Sequence, residues 1–106
     1  MAKFLVQASY TADGVKGLLK DGGTGRRASV QKAIEEMGGK VEAFYYAFGE
    51  TDAVVILDVP DAATAAAISM AVNASGAVRT SLTPLLTVEE IDAACKKTVG
   101  YKAPGA

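Results

Sequence analysis

The chain has 106 residues, half of them hydrophobic, and its 11 Lys and Arg side chains nearly balance 12 Asp and Glu side chains. One domain of this size can bury a core, and a net charge of −1 without a basic stripe does not fit a nucleic-acid-binding protein. Because the chain has no histidine and a single cysteine, the sequence excludes His-ligated metal sites, Ser-His-Asp and Cys-His catalytic pairs and an intrachain disulfide.

The sequence also lacks the usual signs of a membrane or secreted protein. No apolar run approaches the roughly 18 residues of a spanning helix, and the N-terminal residues lack the pattern of a signal peptide. We therefore expect a soluble, cytoplasmic protein with no metal, no cofactor and no membrane partner.

The first half of the chain predicts a strand, a broken helix and a second strand. Residues 3–9 alternate between apolar and polar side chains, which is typical of a half-buried strand. Thr11 begins a helical stretch, which residues 21–25 interrupt with three glycines. The helix resumes near Ser29 and ends at Gly38. We expect the glycine-rich interruption to be a mobile surface loop.

The middle of the chain predicts a hairpin. Strand-like segments cover about residues 40–48 and 51–59, and the short turn between them contains Gly49 and Asp52. Asp61 then caps an alanine-rich helix.

The last third predicts one more strand and one more helix. Gly76 ends the alanine-rich helix, and a strand follows over roughly residues 78–85. Thr87 and Glu90 have the spacing of a capping box, which predicts a short helix reaching about Lys97.

This order, β-α-β-β-α-β with an added C-terminal helix, predicts an α+β ferredoxin-like fold. We expect a single domain over residues 1–98 and a tail over residues 99–106.

The predicted sheet has two different faces. One is almost entirely apolar and should lie beneath both helices, whereas the other mixes apolar and polar side chains and would face water. We predict that this second face pairs with the same face of another copy, giving a two-fold dimer. Its predicted interface residues are Leu5, Gln7, Phe44, Tyr46, Phe48, Ile56 and Arg79. Arg79 should form an ion pair at this interface, with Asp58 or Glu42 as its partner.

Four residues are candidates for ligand binding. Arg26 and Arg27 precede a predicted helix, and cations at a helix N-terminus lie unfavourably beside the positive end of the helix dipole. A bound anion would offset both the dipole and the arginine charges. The alternative is a pair of solvated arginines. Tyr45 should point toward the helices and, with Tyr10, line a pocket. Asp52 either accepts backbone N–H groups in the turn or acts as a pocket acid.

With these residues in hand, the chain resembles the GYD-domain family of the dimeric α/β-barrel superfamily over about residues 3–95. The resemblance rests on Thr11 with Gly14, Arg26-Arg27, Gly38 to Val41, Phe44 to Tyr46, Phe48 to Asp52, Pro60-Asp61 and Gly76 to Thr80. Glu50 and Thr51 stand where the family has a central aromatic between Gly49 and Asp52. The resemblance implies that two four-stranded sheets pair and close into a barrel, and the superfamily includes cofactor-free monooxygenases and isomerases.

Two functions remain open at this point. The first is a small-molecule-binding or assembly module that forms a homo-oligomer and takes a small anionic or aromatic ligand. The second is a cofactor-free enzyme acting on a small aromatic or lactone substrate, with Tyr45, Asp52 or an arginine polarising an oxyanion. An enclosed, partly polar pocket of a few hundred Å³, lined by Tyr45, Tyr10 and the second helical piece, would favour ligand chemistry. Solid packing there would favour assembly.

Overall fold

The structure, a computed structural model, describes residues 2–106. Over these residues it contains four strands and three helices in the predicted order. They are β1 (Ala2–Tyr10), α1 (Ala12–Glu36), β2 (Lys40–Tyr46), β3 (Ala53–Val59), α2 (Ala62–Ala74), β4 (Val78–Leu85) and α3 (Val88–Cys95). Residues 99–106 contain neither helix nor strand. None of the helices in the described part combines the length and apolar character needed to cross a bilayer.

The strands form one antiparallel sheet in the order β2-β3-β1-β4. This order and the connectivity confirm the predicted ferredoxin-like α+β fold. Both α1 and α2 pack on the same side of the sheet, here called the helix face. The core lies there and consists of Phe4, Ile34, Val55, Leu57, Val59 and Ala65, with Ala8, Ala53 and Val78 in a second cluster.

The other side of the sheet, here called the open face, has neither α1 nor α2 on it. Strand pairing places on it Lys3, Leu5, Gln7, Ser9, Ala43, Tyr45, Val54, Ile56, Asp58, Arg79, Ser81, Thr83 and Leu85. The apolar centre of the open face is Leu5, which lies opposite Ile56 on one side and Thr83 on the other.

Local signals define the ends of α2 and α3 as predicted. The Asp61 carboxylate accepts the Thr64 N–H at 2.8 Å. The Glu90 N–H donates to the Thr87 hydroxyl at 3.1 Å, and the Glu90 carboxylate accepts the Thr87 N–H at 2.9 Å. These contacts span only three residues, so the sequence alone is enough to predict them.

The loop expected around residues 21–27 is not present. Instead, α1 is interrupted by a single non-helical residue, Gly22, with φ 75° and ψ 166°. Glycine reaches this left-handed φ without the steric cost of a side chain, so one residue redirects the helix. Arg26 and Arg27 therefore lie on the second helical segment of α1 and not in a loop before it.

Strand β2 contains a bulge that the alternation of its sequence does not show. Val41 lies opposite Leu57, and Ala43 lies opposite the adjacent Ile56, so Glu42 is an extra residue. An extra residue reverses the face on which each later side chain of the strand lies.

The bulge overturns the predicted faces of the aromatic residues in β2. Phe44 and Tyr46 lie on the helix face and contact the core. Phe48, just after the strand, stacks on Tyr46 with ring centroids 6.0 Å apart. These three residues are thus not on the predicted interface, while Tyr45, expected toward the helices, lies on the open face and is 71% exposed.

Candidate functional site

A small apolar cavity lies between the sheet and the two long helices. Its volume is about 60 Å³, and its walls include Val6, Phe44 and Ile68. Among the described residues, Arg26 is the one charged side chain in its lining. A water molecule requires about 10–15 Å³, so the cavity accommodates roughly four groups of that size.

A larger groove adjoins this cavity between α1 and α2. Its volume is about 390 Å³, and it shares Tyr10, Arg26, Val72 and Val78 with the lining of the cavity. Together the cavity and the groove, here called the helix pocket, have an apolar floor and a mouth that carries Arg26. The cavity is thus much smaller than the enclosed pocket of a few hundred Å³ that would favour ligand chemistry, the larger volume belongs to an open groove, and Tyr45 lines neither.

Arg26 is half-buried, and within residues 2–106 it has no carboxylate oxygen within 4.0 Å. Asp13 and Asp21 border the same groove but lie beyond that distance. A guanidinium partly removed from water without a partner is unfavourable. Of the three charged side chains that residues 2–106 contribute to the groove lining, Arg26 is the one that also lines the cavity.

Tyr46, the last residue of β2, supports the start of the second segment of α1. The Tyr46 hydroxyl donates to the Gly23 carbonyl oxygen at 3.2 Å, and a Cβ on Gly23 would stand 3.2 Å from the Tyr46 ring. Burial raises the pKa of Tyr46 above its ordinary value of 10.0; the nearby Tyr10 adds to the rise, and Arg26 partly offsets it. Tyr46 is therefore protonated at neutral pH and serves as a hydrogen-bond donor.

The polar groups in the cavity wall are already paired with each other. The hydroxyls of Ser69 and Thr80 lie 2.7 Å apart, and Asn73 accepts the Thr80 N–H at 2.8 Å. This arrangement fixes α2 against β4. The partners of these groups come from the protein itself, whereas Arg26, the charged side chain of the cavity lining, has no carboxylate partner among residues 2–106.

The Asp52 carboxylate accepts a backbone N–H from β1 and not from the turn. This donor is the Tyr10 N–H, at 2.8 Å, and the N–H of Asp52 itself donates to the Ala8 carbonyl oxygen at 2.8 Å. Asp52 thus ties the start of β3 to the end of β1. The structure does not place it in the lining of the helix pocket.

Arg27 and Tyr45, the other two predicted ligand residues, are separated from Arg26 and the helix pocket. They border a different shallow groove of about 320 Å³, together with Gly23 and Thr24. Of the four predicted residues, only Arg26 lines the helix pocket. The sequence offered no sign that Tyr46 and not Tyr45 faces the helices, because the bulge at Glu42 depends on pairing with a strand farther along the chain.

The open face carries an ion cluster at one end. Lys3 contacts both Glu42 and Asp58, and the Lys3–Asp58 distance is 3.4 Å. The two carboxylates raise the pKa of Lys3, the Glu42 hydrogen bond contributing most. Within one chain Arg79 lies opposite Ser9, at the other end of β1 from this cluster, so its ion pair with Asp58 or Glu42 stays a prediction for the interface between two copies.

Four of the seven predicted interface residues lie on the open face, namely Leu5, Gln7, Ile56 and Arg79. The C-terminal segment of the chain does not cover them, since α3 buries none of its residues. Within residues 2–106, no three side chains of the His, Cys, Asp and Glu types are grouped so as to hold a metal ion.

Thr11, Gly14 and the Gly76-Ala77 pair, which are distant in sequence, meet beside the helix pocket. The Thr11 hydroxyl donates to the Gly76 carbonyl oxygen at 3.0 Å and accepts the Gly14 N–H at 3.2 Å. A Cβ on Gly14 would stand 2.0 Å from the Ala77 carbonyl oxygen. These residues hold the start of α1 against the start of β4.

Comparison with known proteins adds one positive finding. No curated protein and no solved structure matches the chain. The family model described as GYD domain matches residues 4–95, nearly the whole length, and the motif residues quoted above lie within this range. The chain therefore belongs to the GYD domain family.

Proposed function

We propose that the chain is a small-molecule-binding module that assembles as a homodimer through its open face. The assembly is supported by a four-stranded sheet whose apolar centre, Leu5 with Ile56 and Val54, has no helix of its own chain above it. Pairing two such faces removes apolar surface from water, which is the main driving force of association.

The ligand of this module is a small, largely apolar molecule with one carboxylate or similar anionic group. The observation that carries this assignment is Arg26, half-buried at the mouth of an apolar pocket and without an acidic partner among residues 2–106. An anionic group there would make charge-assisted hydrogen bonds, which are about twice as strong as neutral ones.

Binding is favoured over catalysis because the tyrosines and the aspartate considered for proton transfer are protonated, already hydrogen-bonded or on the open face. Burial keeps Tyr46 protonated, and the Asp52 carboxylate is already engaged by the Tyr10 N–H. Tyr45, the other group considered for an enzyme, is on the open face.

The test of the ligand assignment is calorimetric titration with benzoate and with benzyl alcohol, which share a ring and differ in charge. We expect benzoate to bind more tightly, and Arg26→Gln to weaken benzoate by about ten- to a hundredfold, since a hydrogen bond to a charged group contributes about 1.5–3 kcal/mol.

Lys32→Gln is the matched control, because it removes one positive charge from an exposed position on α1 and should leave both affinities unchanged. Equal affinity of the two compounds, or an Arg26→Gln variant that binds benzoate like the unmodified chain, would contradict the assignment. Native mass spectrometry of freshly purified protein would show in parallel whether a small acid is retained.

A further inference from the structure

The last 21 residues form an arm that leaves the body of the protein. We define the C-terminal arm as residues 86–106, which include α3. Every residue from 88 to 106 is exposed, and α3 buries none. The arm also exposes apolar side chains. Their exposed fractions are 66% for Leu86, 76% for Val88, 45% for Ile91, 77% for Val99 and 73% for Tyr101.

The dimensions of the molecule reflect this arm. Its radius of gyration is 17.0 Å, and its longest extent is 57 Å. A compact chain of about 100 residues has a radius of gyration of about 13 Å. The difference shows that the arm projects from the body instead of folding back over it.

The arm contains ordered structure that its own chain does not stabilise by packing. The helix α3 has eight residues and a complete capping box, yet isolated helices shorter than about 12–15 residues are marginal in water. A helix of this length ordinarily depends on an apolar contact with another element. Here that contact must come from outside the chain.

From these features we propose that the C-terminal arm packs on a second copy of this chain, across the border of the open face. The inference rests on the proposed pairing of open faces. Leu85, the last residue of β4, lies on that face opposite Lys3, so the arm begins where a second copy would be seated.

The size of the open face supports this assignment. Four strands of about seven residues form a surface of roughly 20 Å by 25 Å, or about 500 Å² in projection. A standard interface buries about 800 Å² on each partner. The exposed apolar side chains of the arm provide additional surface of the same apolar character.

The charges of the arm disfavour other occupants. Glu89, Glu90 and Asp92 lie within α3, and Lys96, Lys97 and Lys102 follow it, so the arm carries three charges of each sign. Neither a nucleic acid nor an anionic membrane surface would favour this mixture. A second copy of the same chain, whose net charge is −1, does not repel an arm that carries equal numbers of positive and negative charges.

The test uses NMR spectroscopy on mixed samples of full-length chains. One chain carries Cys95→Ser and ¹⁵N. The other carries Cys95→Ser with Lys97→Cys and a nitroxide label, without ¹⁵N. We expect loss of ¹⁵N amide signals in β1 and β4 residues that border the open face, because only the arm of the other copy brings the label there. A nitroxide at Lys32→Cys, on α1, is the control and should not cause this loss.

A second measurement gives the strength of the contact. Val88→Ser with Ile91→Ser should raise the dissociation constant of the dimer by about tenfold or more, which corresponds to about 1.4 kcal/mol. Glu89→Ser with Asp92→Ser is the matched control and should leave the constant within a small factor. All four side chains are exposed in the single chain, so folding should be unaffected.

Sedimentation of the same mixed samples separates the two possible failures. A dimer without intermolecular signal loss would overturn the arm contact while leaving the paired open faces in place. Signal loss only when label and ¹⁵N share one chain would show that the arm folds onto its own body, and would also overturn the inference. A monomer would overturn both proposals.

Discussion

At the scale of single residues, backbone contacts decide which positions tolerate change. Gly14 and Gly17 both lie in the first segment of α1, but their surroundings differ. A Cβ at Gly14 would stand 2.0 Å from the Ala77 carbonyl oxygen, whereas a Cβ at Gly17 would meet nothing within 4 Å.

These two glycines therefore give opposite predictions for the same substitution. Gly14→Ala should lower the free energy of unfolding markedly, because α1 must move away from the start of β4. Gly17→Ala should raise it by up to about 1 kcal/mol, since alanine is the better helix former. Chemical denaturation of both variants measures the difference, and a Gly14→Ala variant as stable as Gly17→Ala would contradict the close approach.

Single residues also show how far the sequence alone indicates where the candidate site residues lie. Arg26 could be identified because an arginine beside a glycine-rich break stands out in the sequence. Tyr46, which lies on the helix face, could not be told from Tyr45, because one extra residue at Glu42 exchanges their faces. The bulge depends on the pairing of β2 with β3, and the Glu42 side chain at the bulge contacts Lys3 on β1. Both contacts join residues that are far apart in the sequence, so no local sequence pattern indicates them.

At the scale of elements, the helix ends were predictable and the helix interiors less so. The caps of α2 and α3 are encoded within four residues each and form as expected. Three closely spaced glycines led to the prediction of a loop within α1. In the structure the helix changes direction at one non-helical residue, Gly22.

The caps predict a pH dependence of stability. Hydrogen bonds from Thr64 lower the pKa of Asp61 below its ordinary 3.8, and those from Thr87 lower the pKa of Glu90 below its ordinary 4.5. The ionised carboxylates therefore stabilise the folded state above these ordinary values. This stabilisation is lost as the pH falls through the lowered values.

Thermal unfolding measured from about pH 6 down to about pH 3 checks this prediction. The midpoint of the unmodified chain should fall over this range. In Asp61→Asn with Glu90→Gln the decline should be shallower, because Asn still caps a helix but does not titrate. Equal slopes for the two proteins would show that other carboxylates determine the acid response.

At the scale of the whole molecule, the sheet has one face that its own chain covers and one that it does not. The ferredoxin-like topology could be predicted from element order. The direction of the C-terminal arm could not be predicted from the sequence, because a short capped helix can either pack on the sheet of its own chain or project away from it.

The open face makes Thr83 a sensitive position for testing assembly. Thr83 lies opposite Leu5 on the open face and is exposed in the single chain, so Thr83→Lys should fold normally. Two faces that pair would bury this lysine without a partner, which is costly. Ala67→Lys is the matched control, because it adds the same charge at an exposed position on α2.

The most direct measurement is sedimentation velocity of the unmodified chain at micromolar concentration, with Thr83→Lys and Ala67→Lys alongside. Pairing of the open faces predicts a species of twice the 10.9 kDa chain mass for the unmodified protein and for Ala67→Lys, and a shift toward the single chain for Thr83→Lys. A single chain in all three samples, or a dimer that Thr83→Lys leaves unchanged, would contradict it.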